Sequence, residues 1–254
     1  MLVLIIYLSV LNDSFVGMII GFIFTFIVEI ELLTKIALIA GFILSSLTLL
    51  SILSGLLNFL IRRKASRLKN SFLIMLGVFN PDTAESAFSN LKRILSRFMW
   101  ELPQTLVGYV FVQAMNCVGR VEEVRFIAGV NFCLYYQHSN KRQGVSIGNF
   151  IYVSSDPKDF KFERDPLLLH EYGHHLQSRR WGWLYLFVIG IPSLISAIRA
   201  KPLHGGITTH DLQWYEIQAN QYAAFYLKKN FDEDWTQFEP PFNSFPRTKF
   251  KDLT

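Results

Sequence analysis

Residues 36–61 form a stretch of 26 residues without a charged side chain, and a basic cluster at residues 62–64 follows it directly. About 20 apolar residues are enough to cross the hydrocarbon core of a bilayer as a helix. A helix also satisfies its own backbone polar groups, which lipid does not do. A second apolar segment, centred on residues 15–33, precedes the first. The two segments predict a transmembrane helical hairpin over residues 1–61.

The apolar residues 2–11 admit a second interpretation, as the core of a secretory signal peptide. We prefer the hairpin because no positive segment precedes them and no cleavage site with small residues follows. Basic residues close to a span favour the cytoplasmic side of a membrane, and five of them lie within residues 62–69. We therefore expect an integral membrane protein whose chain after residue 62 is cytoplasmic.

The charge of the remaining chain is positive. Lys35 is the only basic residue among the first 61, so 24 of the 25 Lys and Arg follow it, against 17 of the 20 Asp and Glu. A positive surface favours contact with an anionic bilayer. No nucleic-acid recognition motif is present, so nucleic acid is the weaker alternative partner. Cys117 and Cys133 lack the spacing of a metal site, and we expect free thiols, which favours a reducing compartment.

Beyond the predicted hairpin, the apolar pattern indicates both helices and strands. Helical spacing predicts an amphipathic helix over residues 81–97, and residues 105–118 form an apolar segment too short to span a membrane comfortably. Residues 121–154 are rich in Val, Ile, Phe and Tyr, which predicts about three antiparallel strands. Residues 146–154 are the clearest strand. We therefore expect an α+β fold with a small, mostly antiparallel sheet.

Two further helices are indicated in the second half of the chain. Asp165 has the character of an N-cap and Pro166 that of a first helical residue, which predicts a helix as far as Arg180. Residues 181–198 contain no charge and are either a third span or, as we prefer, a pair of helices broken near Gly190-Ile191-Pro192. That pair is expected to pack on the preceding helix or to lie in the bilayer surface. Residues 211–229 predict another helix.

The run His170-Glu171-Tyr172-Gly173-His174 lies inside the first of these helices. Residues four apart share one face of a helix, so His170 and His174 are candidate ligands of a single ion. Zinc accepts imidazole nitrogen, and a catalytic zinc keeps three protein ligands and one water. Glu171 is then placed to act as the general base that takes a proton from that water. The run predicts one Zn²⁺ per chain and a metallohydrolase.

The third ligand has four candidates, which are His204, His210, Asp211 and Glu216. Glu216 is preferred because it lies in the predicted helix 211–229, with the small Ala219 three residues on. A small residue at that position allows two helices to approach closely. Asn220, one turn after Glu216, is a candidate hydrogen-bond partner for a ligand histidine.

Residues 170–174, followed 42 residues later by Glu216 and then by Ala219, resemble the signature of the gluzincin zinc metallopeptidases. The pattern is similar to that of integral-membrane members which cut prenylated proteins or misfolded membrane proteins on the cytoplasmic side. It also resembles uncharacterised bacterial membrane proteins with the same histidine motif. The family has Asp where this chain has Asn220, a departure that removes the acidic group but keeps hydrogen bonding.

The resemblance covers roughly residues 140–230, and it implies a zincin-like fold in which the strand at 146–154 forms the sheet edge beside the catalytic helix. A peptide substrate would add to that edge as an extra strand. The oxyanion requires a stabilising group, for which His210 and Tyr215 are the candidates. His175 is expected either to support a metal ligand without binding the ion itself or to be exposed. His138 is expected to be solvated.

We therefore predict four regions: a hairpin at 1–61, a basic juxtamembrane region with helices at 62–120, a zincin-like domain at 121–230 and an irregular tail at 231–254. The preferred function is a membrane-attached zinc metallopeptidase acting on a peptide or protein. The alternatives are a zinc hydrolase with a non-peptide substrate at the membrane, and an inactive zincin-like protein that binds a partner.

Overall fold

The computed structural model describes residues 65–83, 85–136, 142–203 and 208–232, together with scattered positions between 31 and 60. Most of the predicted hairpin lies outside the described residues, as do His138, His204 and the tail after residue 232. The chain divides into two compact units, Met1–Leu49 and Leu50–Thr254. The second unit contains the predicted metal-binding run and is an α+β domain, which confirms the α+β part of the expected fold class.

Within residues 65–120, three helices precede the sheet. They are α1 (Ala65–Gly77), α2 (Ala87–Phe98) and α3 (Leu102–Cys117). The predicted helix at 81–97 begins later than expected because Ser86 caps α2, its hydroxyl accepting from the backbone N–H of Ser89. Before the cap, Asp82 and Asn90 bond each other through backbone and side-chain groups in a turn.

The sheet has four strands among the described residues: β1 (Glu123–Ile127), β2 (Val130–Tyr135), β3 (Gly144–Ile147) and β4 (Phe150–Ser154). Their order is β1-β2-β4-β3. The pairs β1–β2 and β4–β3 are antiparallel, as most of the sheet was predicted to be, whereas β2 and β4 are parallel. The sheet is therefore mixed, with β3 at one edge.

The prediction of one strand over residues 146–154 is wrong. The segment is a hairpin in which Ile147 pairs with Phe150 across the two-residue turn Gly148-Asn149. Gly148 has a φ of +63°, a conformation that glycine adopts readily as the first central residue of a tight hairpin turn. The edge strand beside the histidine-bearing helix is consequently β3, and β4 lies inside the sheet.

The helix that carries the histidines, α4, spans Pro166–Trp181 as predicted. Asp165 caps it by accepting from the backbone N–H groups of Leu167 at 3.0 Å and Leu168 at 3.4 Å. Arg142, at the start of the segment leading to β3, donates to both carboxylate oxygens of Asp165 at 3.0 and 2.6 Å. Asp165 therefore caps the start of α4, and Arg142 holds the Asp165 carboxylate in position.

After α4 the chain bends. A 3₁₀ turn at Gly182–Leu184 and a π turn at Leu186–Gly190 lead into α5 (Ile191–Ile198). In the described part of the chain no single helix has the length and hydropathy of a membrane span; one pair, Pro166–Leu184 with Leu186–Ile198, meets the criterion jointly but is bent by 118°. The break predicted near Gly190-Ile191-Pro192 lies instead at Tyr185, and the helical backbone continues from the π turn into α5. Pro192 falls in the first turn of α5, where its missing N–H costs no helical hydrogen bond.

The last described helix, α6, spans Trp214–Phe231 and starts three residues later than predicted. Asp211 is occupied in a turn, where its carboxylate accepts from the backbone N–H and the hydroxyl of Thr208. Helices cover both faces of the sheet. One face packs its buried apolar side chains against α4 and α6, with Phe132, Ile151, Leu168, Tyr172 and Leu227 at the centre. On the other face, rings of α3 contact Phe150 and Tyr152.

Candidate metal centre

The structure brings three predicted ligand side chains together. His170 and His174 lie on one face of α4, and their Nε2 atoms are 3.1 and 3.0 Å from the same oxygen, Oε2 of Glu216 on α6. All three ligand atoms lie within 4.8 Å of one another. Glu216 is almost fully buried, and His174 is buried. The preferred third ligand is therefore the candidate that the fold places beside the two histidines.

The three atoms fit a metal ion. Ligands about 2.0–2.1 Å from a tetrahedral ion are separated from one another by about 3.3 Å, close to the two nitrogen–oxygen distances observed. Two imidazole nitrogens and one carboxylate oxygen are donors that divalent ions of the zinc type accept. The group His170, His174 and Glu216 is thus suited to hold a metal ion.

The close approach of α4 and α6 depends on small residues. A Cβ added at Gly173 would collide with the backbone of Ala219, so the two helices touch through Gly173 and Ala219 without intervening side chains. The role expected of Ala219 is therefore shared with Gly173, which lies between the two histidines. This contact brings Glu216 within reach of both rings.

Hydrogen bonds orient both imidazole rings. Nδ1–H of His170 donates to Oδ1 of Asn220, and Nδ1–H of His174 donates to Oε1 of Gln177, each at 2.8 Å. The Gln177 amide is itself oriented, because its Nε2 donates to the backbone oxygen of Tyr215 at 2.7 Å. With Nδ1 protonated, each neutral ring directs the lone pair of Nε2 towards Glu216. Three electron-pair donors therefore converge, an arrangement that requires a positive charge among them.

The other carboxylate oxygen of Glu216 is held separately. The Ser193 hydroxyl donates to Oε1 at 2.5 Å, which leaves Oε2 to the histidines. His210 lies nearby, with Nε2 3.6 Å from Oε1. Its Nδ1 shares a hydrogen bond of 2.6 Å with the Ser196 hydroxyl, which lies 2.9 Å from the backbone oxygen of Ser193. α5 thus supplies two serines that fix the carboxylate and His210.

The pKa values show the attraction of the site for positive charge. Burial alone lowers the pKa of His170, but the hydrogen bond and charge of Glu216, with the charge of Glu171, raise it to about 9. Burial alone raises the pKa of Glu216, yet the neighbouring His174 and His170 hold it well below its usual range. The carboxylate is therefore ionised at neutral pH, as a metal ligand must be.

Glu171 lies beside the three converging atoms, but it is not bound to them. Its side chain lies against Gly144 of β3, where an added Cβ would collide with the carboxylate. Burial raises the pKa of Glu171, an effect that the charges of His170 and His174 oppose. Among the described residues it has no hydrogen-bond partner. Glu171 is thus a buried carboxylate with free oxygens, which suits a proton acceptor.

A cavity of about 1220 Å³ adjoins the site. His170 and Glu171 lie in its wall, with residues of α3, the ends of the strands, α5 and His210 around them. The edge strand β3 also borders the cavity. Ile147 and Phe150 form a hydrogen-bonded pair at the hairpin turn. In an antiparallel ladder every second residue of a strand bonds its partner, so the backbone N–H and C=O groups of Ser146 and Gly144 point away from β4. The Tyr185 hydroxyl donates to the backbone oxygen of Ser146 at 3.1 Å, so the free N–H and C=O groups of this edge are those of Gly144.

The remaining predicted residues have separate positions. His210 lines the cavity, whereas Tyr215 does not, because its hydroxyl donates to the backbone oxygen of Pro192 at 3.1 Å. Asp211 borders the cavity but is bound in the Thr208 turn. His175 is buried rather than exposed, and its Nδ1–H donates to the Gly148 oxygen at 2.8 Å. Burial lowers its pKa well below the usual value.

Sequence reasoning missed Gln177, Ser193 and Gly144. Gln177 carried a local signal, since it lies three residues after His174 on the same helical face. Ser193 and Gly144 reach the site only through tertiary folding, so their positions in the sequence give no signal. Comparison with protein-family models, with curated proteins and with solved structures finds no match for this chain.

Proposed function

We propose that this protein is a membrane-attached zinc metallopeptidase with a zincin-like catalytic domain. The observation that carries the proposal is the convergence of His170, His174 and Glu216 beside the free carboxylate of Glu171. Three protein ligands leave one position of a tetrahedral ion for water or substrate, which distinguishes a catalytic zinc from a structural one. Zinc is favoured over harder ions because two of the three donors are imidazoles.

A bound zinc ion would supply Lewis acidity towards a carbonyl oxygen and would lower the pKa of water. The residues of the chain do the rest. Asn220 and Gln177 hold the rings of His170 and His174, and Ser193 holds the second oxygen of Glu216. These contacts keep the three donors in position through the reaction.

Glu171 is the proposed general base. It accepts a proton from the attacking water, and the same carboxyl group then protonates the leaving amine. Its raised pKa makes the protonated form accessible after the first transfer, and the cavity wall at Gly144 keeps the carboxylate beside the reacting atoms. His210, as the tautomer that carries its proton on Nε2, is the proposed stabiliser of the oxyanion, since it lies in the cavity wall and Tyr215 does not.

The edge of β3 supports a peptide as the substrate. An extended peptide in the cavity could pair with the free N–H and C=O of Gly144, next to Glu171. Such pairing places the scissile bond by its backbone and leaves side-chain selection to the cavity wall. Membrane attachment through the predicted hairpin at 1–61, with the domain in the cytoplasm, is part of the same proposal.

The test is hydrolysis of a mixed library of unstructured peptides by the purified full-length protein loaded with zinc. Glu171→Gln should keep its metal and lose activity by about 10²–10⁴-fold, because an amide does not accept the proton. Glu163→Gln, which changes a carboxylate outside the cavity, is the matched control and should retain full activity. An active Glu171→Gln protein would show that another group is the base. A zinc-loaded protein that cleaves none of the peptides would instead favour a non-peptide substrate.

A further inference from the structure

Helix α2 has its polar and apolar faces reversed relative to an ordinary surface helix. Arg93 and Arg97 point into the domain, and Arg97 is only 1% exposed. The large apolar side chains Phe88, Leu91 and Leu95 point outward, and Phe88 is 64% exposed. These three recur at the spacing of one helical face. A helix of this kind normally buries its apolar face and exposes its arginines.

The terminal guanidinium nitrogens on the inward face of α2 have polar partners within the domain. The Arg97 guanidinium donates to the backbone oxygens of Val78, Asn80 and Gly129 at 2.6, 2.9 and 2.7 Å. Arg93 forms ion pairs with Asp82 at 3.1 Å and with Glu85 at 2.6 Å. Arginine contacts therefore fix the orientation of the helix, so its apolar face is left outside.

The exposed apolar surface continues beyond the helix. Met99 and Trp100 follow the helix, and both are exposed. Hydrogen bonds connect them to the end of α4 and the turn after it: Trp100 Nε1 donates to the Arg179 oxygen at 3.0 Å. Trp183 Nε1 donates to the Met99 oxygen at 2.6 Å. Each tryptophan thus exposes a ring whose N–H is already satisfied.

A basic recess lies beside the apolar stripe of α2. It has a volume of about 460 Å³ and contains Lys92, Arg179 and Arg180 in its wall. The acidic residue in that wall, Glu85, is paired with Arg93. Within the described chain, Lys92, Arg179 and Arg180 form no ion pair with a carboxylate. The recess therefore has an excess of positive charge directly next to exposed apolar side chains.

We propose that the outward face of α2, with Trp100, Trp183 and the basic recess, docks onto the surface of an anionic lipid bilayer. A water-facing protein rarely exposes so large an apolar surface without a partner. Apolar side chains with interfacial tryptophans and flanking basic residues match the acyl boundary and the charged headgroups of such a surface. The recess accepts the anionic headgroup. This inference rests on the membrane attachment of the proposed function, but it is independent of the metal.

The experiment uses the full chain reconstituted in phosphatidylcholine vesicles with and without phosphatidylserine. A polarity-sensitive fluorophore is attached at Leu91→Cys or, as a matched exposed control, at Lys158→Cys. Both variants also carry Cys117→Ser, which removes the other accessible thiol. Cys133 is buried, and burial raises the pKa of its thiol, so little of the reactive thiolate is present to take the label. Quenching by nitroxide-labelled lipids measures contact with the bilayer, and zinc content is measured on the same samples.

We expect lipid quenching at Leu91→Cys to exceed that at Lys158→Cys by roughly threefold or more in anionic vesicles. Lys92→Gln/Arg180→Gln should reduce the difference towards its value in neutral vesicles, with zinc content unchanged. Equal quenching at the two positions in vesicle-bound protein would overturn the docking of the α2 face and leave membrane attachment standing. A Leu91 label shielded from water but not quenched by lipid would also overturn it, in favour of a protein partner. Protein that does not float with either vesicle would overturn membrane attachment as well.

Discussion

Helices α2 and α4 both direct polar side chains into the domain, and they differ in what those side chains meet. The inward arginines of α2 meet backbone oxygens and carboxylates of the same domain, which satisfy their terminal nitrogens. The inward groups of α4 meet each other: the Nε2 atoms of His170 and His174 share one oxygen of Glu216. Glu171, beside them, meets no described donor.

This difference in partners distinguishes charged groups that are buried to hold the fold together from groups that are buried to form a site. A buried charged group whose charge is matched by partners within the fold contributes to stability and specificity. Converging donors that need a further positive charge indicate a site for an ion or a proton.

Arg97→Met should destabilise the domain strongly. Burial lowers the pKa of Arg97 to about 10, so the side chain is charged at neutral pH and holds three backbone oxygens. Removing the guanidinium leaves those oxygens unpaired, at a cost of about 3–5 kcal/mol in the free energy of unfolding. Urea denaturation measures the change. A loss below about 1 kcal/mol would mean that α2 is not held by its arginines.

Gly173→Ala should weaken metal binding by about 100-fold or more, because its methyl group pushes α6 and Glu216 away from the histidines. Gly190→Ala is the matched control, since an added Cβ there meets only ordinary van der Waals contacts. Competition with a chromophoric chelator measures both affinities. Wild-type affinity in Gly173→Ala would show that the approach of α4 and α6 does not set the position of Glu216.

Gln177→Ala should lower metal affinity by about 10–100-fold without removing a ligand. The His174 ring loses the acceptor that fixes its Nδ1–H, so Nε2 is no longer directed at the centre. Asn230→Ala, an exposed amide on α6, serves as the control. The same chelator titration applies, and equal affinities in the two variants would remove Gln177 from the support of the site.

Leu95→Gln should leave the free energy of unfolding within about 0.5 kcal/mol of wild type, because the side chain is half exposed on the outward face of α2. Paired with Arg97→Met, it tests the reversal of the helix directly. A Leu95→Gln protein as unstable as Arg97→Met would show that the apolar face contributes to the core after all. Thermal or urea unfolding of both variants under one set of conditions provides the comparison.

Much of the site could be predicted from sequence because its information is local. The spacing of His170 and His174 on one helix, the Asp165 cap and the helical setting of Glu216 need only the geometry of a single helix. Asn220 was found for the same reason. Ser193 reaches Glu216 across a bent segment, so only the fold reveals its role.

The errors have physical causes of the same kind. A run of β-forming residues at 146–154 indicates extended backbone, but the turn at Gly148 divides it into two strands. Helical spacing at 81–97 predicts an amphipathic helix without determining which face is buried. That choice depends on the oxygens of Val78 and Gly129, which lie outside the helix and bind Arg97.

Metal analysis of the purified protein by inductively coupled plasma mass spectrometry tests the metal centre itself. We predict about one zinc per chain, retained through dialysis, and its loss in a folded His170→Ala/His174→Ala variant. Glu163→Gln, which changes a carboxylate outside the cavity, should keep the zinc. Wild-type protein without a bound metal, or a double variant that binds zinc as well as the wild type, would contradict the account.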